Sequence, residues 1–281
     1  MERFYESYAR MRPSVPAPEN GPPARSPAHP PLRTTRLSEF SDTLLDHLVH
    51  FLLPAWCLGC EKPLSRRDPA LCLCRACRAK LKRPRRERCP LCGAVASTRP
   101  GAWLCAACRL APPAFDGLHA EWSYEPPFDE VIRGLKYHRL EFLADDLARG
   151  MAADLRGLET EHDVVTAVPL HWRRRLERGY NQAQLIAKPL ARRLGLPYRR
   201  LLIRSVSSAP QTTLSARERR SNVEDIFRCR RGVEIHRARV LLIDDVATTG
   251  ATLDAASRTL KSAGADLITA AVSALTPNRR E

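Results

Sequence analysis

The stretch Val240–Leu253, VLLIDDVATTGATL, decides the fold. An apolar run, Val240–Ile243, predicts a buried strand. Two acids follow, then a short Thr/Gly loop, then a helical pattern. Leu253, Ala256, Leu260 and Ala263 share one helical face, and Gly264 closes the helix. Each part has a physical role. Gly250 lets the backbone approach a ligand closely. The N–H groups at the helix start, with the hydroxyls of Thr248, Thr249 and Thr252, make an anion site. Asp244 and Asp245, at the carboxyl end of the strand, can accept hydrogen bonds from a sugar diol. That end of a parallel strand is where α/β proteins bind ligands. An ordinary strand and helix cap is one alternative. A Walker B strand is another, but it needs G-x-x-x-x-G-K-[ST], and the chain has no Gly-Lys dipeptide.

The neighbouring segments repeat the alternation. Val164–Val168 is a short apolar run ended by Pro169. Over Gln182–Leu194, Ala183, Ile186, Ala187, Leu190 and Leu194 form one helical face, and Gly195 stops it. Pro189 inside that pattern predicts a kink. Leu267–Leu275 is a further strand. Residues 113–127 read as a linker with one strand around Leu118–Tyr124. Residues 128–158 read as helix, with Val131, Ile132, Leu135, Phe142, Leu143, Leu147 and Met151 on its stripe. The expected class is α/β: a mostly parallel sheet with helices on both faces.

Upstream, nine of the ten cysteines fall within residues 57–108. Eight form four C-x-x-C pairs: Cys57/Cys60, Cys74/Cys77, Cys89/Cys92 and Cys105/Cys108. Intervals of 13, 11 and 12 residues separate the pairs. One C-x-x-C puts two thiolates on a tight turn, and two such turns complete a tetrahedron around Zn²⁺. Near-equal spacing suggests two consecutive four-cysteine zinc ribbons, with crossed pairing as the alternative. Four protein ligands per ion leave no open position, so such zinc is structural. An iron–sulfur cluster is the competing occupant. Cys72 is a spare that could replace Cys74, and Cys229 is an isolated thiol expected to be buried and inert.

The chain has 281 residues and a formal charge of +15, from 46 Lys+Arg against 31 Asp+Glu. Only six of the 46 are lysine, a skew that GC-rich codon usage alone produces. The charge otherwise favours polyanions: nucleic acid, phosphorylated substrates or anionic lipid. Residues 57–109 are formally +10, and near +6 once two Zn(Cys)₄ centres are counted. A phosphate backbone suits that segment. Residues 1–36 are a proline-rich arm expected to be disordered. A helix is expected over 37–53, so that 37–112 comprises this helix and the double zinc ribbon, and 113–281 the α/β domain. No apolar run is long enough to span a bilayer, and the start has no secretory h-region. A cytoplasmic location is expected, where thiols stay reduced.

Val240–Leu253 resembles the phosphoribosyl pyrophosphate (PRPP) motif of type I phosphoribosyltransferases. The resemblance implies that Asp244 and Asp245 hold the ribose hydroxyls. It implies that Ala247, Thr248, Thr249, Gly250, Ala251 and Thr252 hold the 5′-phosphate, with Mg²⁺ accompanying the pyrophosphate. The HWRRRLERGYNQA segment, His171–Ala183, stands where that family has its pyrophosphate loop, which would include Pro169, Leu170, Arg173 and Arg178. Residues 204–227 resemble its mobile lid. The combination is narrower still. The C-x-x-C pairs, LKY (Leu135–Tyr137), VPLH (Val168–His171), RGYNQA (Arg178–Ala183), PQ-x-x-L (Pro210–Leu214), R-x-x-N (Arg219–Asn222) and DD-x-x-TTGAT resemble the ComF family. That family is linked to natural competence. In the lid, the resemblance singles out Gln211, Arg219 and Asn222.

Two departures bear on chemistry. Thr248 stands where 6-oxopurine salvage enzymes carry a basic Asp, and Ala251 replaces their loop Lys. The tail after Leu275 is only six residues and holds no base-stacking aromatic. Three functions follow from the resemblance. The first is a DNA-uptake protein that binds Mg-PRPP and single-stranded DNA, and works with other uptake proteins. The second is an active phosphoribosyltransferase with an unidentified acceptor. The third is a PRPP-sensing regulator, for which no helix-turn-helix signal is present. For the first, Trp56, Trp103, Trp122, Tyr137 and Trp172 are the aromatics in or near the relevant segments.

Overall fold

The computed structural model describes residues 55–64, 70–84, 88–94, 104–204 and 226–277. The proline-rich arm, the helix expected over 37–53, Trp103 and the lid residues Gln211, Arg219 and Asn222 lie outside the described residues.

Six strands are described: β1 (Gly117–Ser123), β2 (Val164–Ala167), β3 (Leu202–Arg204), β4 (Phe227–Cys229), β5 (Arg239–Ala247) and β6 (Leu267–Leu275). Four of them make a parallel sheet in the order β1-β6-β5-β2. The pair β3–β4 forms a separate antiparallel ladder. The helices are α1 (Arg75–Arg78), α2 (Ala106–Leu110), α3 (Phe128–Tyr137), α4 (Leu143–Asp154), α5 (Trp172–Arg178), α6 (Gln182–Leu194) and α7 (Ala251–Ser262).

Period-two alternation sorts the sheet residues between two cores. Leu241 and Ile243 of β5 pack with α3, α4 and α6. Val240 and Leu242 face the other way, with Leu253, Ala256 and Leu260 of α7. The sheet thus has helices on both faces, as its sequence implied. The α6 helix runs through Pro189, whose ring is buried. Asn181 caps its start, accepting from Ala183 N at 3.1 Å, and Gly195 ends it in the left-handed conformation.

The single helix expected over 128–158 is two. The break follows Tyr137: Arg139 has φ 55°, and His138 N and Leu140 N both donate to Gly134 O. The left-handed residue turns Leu140 into the core, where it is buried. Arginine occupies the left-handed position where glycine is usual, so no sequence signal marked the stop.

The cysteine-rich segment is fastened to the α/β core at several points. Leu58, Leu64, Leu71 and Leu73 belong to the same hydrophobic cluster as α3 and α4. Leu71 N donates to the buried Asp146 carboxylate of α4 at 3.0 Å, and Arg149 pairs with that carboxylate at 3.3 Å. Downstream, the chain runs along the outer strand β1. Ser123 N donates to Lys82 O, and Leu118 N donates to Pro90 O. These bonds occupy backbone groups that an edge strand would otherwise leave open. Gly93, at φ 72°, rests on Leu275, and an added Cβ would lie 2.7 Å from that side chain.

Candidate functional site

The described cysteines gather in sequential pairs, so the crossed arrangement is excluded. Cys57, Cys60, Cys74 and Cys77 form one group, and Cys89, Cys92, Cys105 and Cys108 the other. In each, the four sulfurs lie within 4.8 Å of one another. Local backbone geometry aims them. Cys74 and Cys105 sit at the starts of α1 and α2, both with extended ψ. Cys108 N donates to Cys105 Sγ at 3.4 Å, and Ala94 N donates to Cys92 Sγ at 3.4 Å. Such N–H···S bonds favour the thiolate. A backbone N–H from Cys77 lowers the Cys74 thiol to about 7, while burial holds the Cys77 thiol well above its ordinary range. Four crowded sulfurs of this kind suit a soft divalent cation that neutralises the charge as thiol protons leave. Cys72 is buried but outside the group, and Cys229 is half-buried, with Sγ 3.6 Å from Thr259 O.

At the carboxyl end of the sheet, β5 continues through both acids to Ala247, four residues beyond the aliphatic run. Asp245 is buried and Asp244 half-buried. Asp245 N donates to Asp244 Oδ1 at 2.9 Å, which pins the pair. Burial, then the Asp245 charge, pushes the Asp244 carboxyl up to about 7. Lys136 and Arg204 oppose that rise. The Lys136 Nζ lies 3.2 Å from Asp245 Oδ1. This lysine belongs to the LKY motif, yet nothing in the sequence joined it to the acids.

Gly250 then turns the chain into α7 with φ 77°. A side chain would be strained there, which explains the glycine. Thr249 Oγ1 accepts from Ala251 N at 3.3 Å, and Thr276 Oγ1 donates to Thr248 O at 3.4 Å. Thr248, Thr249, Ala251 and Thr252 are all exposed at this helix start. The loop opens into a cleft of about 530 Å³ whose opposite wall is the second cysteine group with Ala107, Ala111 and Pro112.

The turn after β2 comes next to the acids. Val168 N donates to Ile243 O, and Pro169 and Leu170 are half-buried. The RGYNQA residues are largely structural. Gly179 ends α5 at φ 83°, Tyr180 OH donates to Leu135 O, and Asn181 Nδ2 donates to Val168 O at 2.9 Å. Arg173 and Arg178 do not reach the acids in this state. Arg173 lies over Trp172, and Arg178 lies over Tyr137 and donates to Gln182 Oε1. Arg204 of β3 is the cation near Asp244 that the sequence reading missed.

A parallel sheet with paired acids and a Thr/Gly turn at its carboxyl end defines a phosphoribosyltransferase-type domain. The phosphoribosyl transferase domain profile matches residues 181–281. The DNA utilization protein YhgH of Salmonella typhimurium is 33% identical over 222 residues, covering 76% of this chain and 93% of that protein. Competence protein F of Haemophilus influenzae is 30% identical over 204 residues, covering 70% and 87% respectively. Competence protein ComFC of Bacillus subtilis is 29% identical over 232 residues, covering 77% and 91%. The chain belongs to the ComF family.

Proposed function

We propose that the protein binds PRPP as its Mg²⁺ complex at the carboxyl end of the sheet and handles single-stranded DNA during DNA uptake or utilization. One observation carries the ligand reading. Two adjacent carboxylates and an exposed Thr/Gly helix start follow one another on β5 and α7. A ribose 5-phosphate needs both features, at its two ends. In this reading Asp244 and Asp245 accept from the ribose hydroxyls. Ala247, Thr248, Thr249, Gly250, Ala251 and Thr252 cradle the 5′-phosphate. Pro169 and Leu170 supply the pyrophosphate turn, with Arg173 and Arg178 swinging in from α5. Gln211, Arg219 and Asn222 form the lid. Lys136 exchanges Asp245 for the ligand.

The two cysteine groups hold one structural zinc each. Zinc there cross-links segments too poor in aliphatic residues to fold by burial alone. Eight cysteines gathered in two metal-type groups favour a reducing, cytoplasmic setting. No described helix is long and apolar enough to cross a membrane. The names of the relatives, DNA utilization protein and competence protein, support the DNA reading, as does the net charge. Asp245→Asn tests the ligand site: it should abolish Mg-PRPP binding while leaving the circular dichroism and melting temperature near wild type. Unchanged affinity would remove the diol role.

A further inference from the structure

The α5 helix is unusual among the described helices. None of its residues is buried, although it carries Trp172 and Leu176 one turn apart. Leu176 is 75% exposed and Trp172 44%. Tyr137, at the end of α3, is 63% exposed. These are three of the five large hydrophobic side chains exposed among the described residues. Core packing therefore does not account for them. Trp122, by contrast, packs on Phe128 at 5.9 Å between ring centroids.

Cations accompany both exposed rings. The Arg173 guanidinium lies 5.3 Å from the Trp172 ring centroid, and that of Arg178 lies 5.1 Å from the Tyr137 centroid. Between α3 and α5 is a groove of about 360 Å³ lined by Lys136, Tyr137, Arg139, Arg174, Glu177 and Arg178. Four cations face one carboxylate there, so the groove favours a polyanion. Exposed rings braced by arginine favour flat, unpaired bases. A duplex would present its phosphates but keep its bases stacked inside. An acidic protein surface would use the cations and leave the rings idle.

We propose that Tyr137 and Trp172 are base-stacking platforms for single-stranded nucleic acid, whose phosphates follow the Lys136–Arg139–Arg174–Arg178 groove. This deepens, and rests on, the single-stranded DNA reading above. It also assigns the strand a place. The groove reaches Lys136, the side chain that holds Asp245, so the strand passes beside the acidic pair. The arginines of α5 then serve the strand while they lie on the rings.

The test uses the full-length, zinc-loaded protein and a fluorescein-labelled oligothymidylate read by anisotropy. Tyr137→Ala and Trp172→Ala should each weaken binding by about 5- to 100-fold, the loss expected for one base–aromatic stack. Tyr137→Phe and Trp172→Phe should keep most of the affinity, because both retain a ring. Melting temperatures should not change, since both side chains are exposed. Wild-type binding that neither alanine variant weakens would overturn the platform and leave the DNA reading standing. Equal weakening by Phe and Ala would overturn stacking as the cause. No binding by the wild type would overturn both.

Discussion

Replacing Glu121 by Gln should change how stability responds to pH. Glu121 lies on β1, is 5% exposed, and its Oε2 has no hydrogen-bond partner among the described residues. Burial pushes its carboxyl up to about 8; the Arg83 charge opposes this and Asp154 adds to it. His119 lines the same small cavity as Glu121 and Asp154. The folded protein therefore keeps a proton that an unfolded glutamate releases near pH 4.5. A raised folded value means that this contribution is intact below pH 4.5 and lost as pH rises towards 8. The accumulated cost is about 1 kcal/mol at pH 5, about 3 kcal/mol at pH 7 and about 5 kcal/mol well above pH 8. Glutamine does not titrate. Its buried amide has a cost of its own, but that cost is the same at every pH. The difference between variant and wild type should therefore shift in favour of the variant by about 2 kcal/mol between pH 5 and pH 7. In a domain of this size that corresponds to roughly 4–8 °C in relative melting temperature. Paired thermal melts of the zinc-loaded proteins measure it, and histidine and metal contributions common to both largely cancel. A melting difference that stays constant across this range would refute the argument that Glu121 is buried and protonated.

Other expectations follow from the same packing. Gly150→Ala would set a Cβ against the buried Glu121 carboxylate, a clash that should outweigh the roughly 1 kcal/mol that alanine gains over glycine in a helix; equilibrium melts would show a net loss. Zinc content by atomic emission should be near two per chain, and one or none would sink the double-ribbon account. Cys105→Ser should lose one zinc and melt close to wild type, since its cluster is small and separate; Cys77→Ser should lose one zinc and melt far lower, since Cys77 lies in the main core.

Legibility in the sequence tracked how local the physics is. Val240–Leu253 could be read because a strand, a diol-binding acid pair, a left-handed glycine and a helix start are all contiguous. The eight cysteines were legible by spacing, and sequential pairing followed once the sulfurs were placed. Gln182–Leu194 carries its own stop in Gly195. The break after Tyr137 was hidden because Arg139 takes a conformation that arginine does not advertise. Lys136 and Arg204 were missed because their relation to Asp245 and Asp244 exists only after α3 and β3 pack beside β5. Arg173 and Arg178 were legible as basic residues of the pyrophosphate segment. Their positions over Trp172 and Tyr137 depend on ring exposure, which periodicity does not report.

Calorimetric titration of the zinc-loaded protein with Mg-PRPP tests the central claim most directly. Saturable binding to one site per chain is the expected result. A folded, zinc-loaded sample that releases no heat and competes for no ligand would contradict the account and leave β5 and α7 as a scaffold.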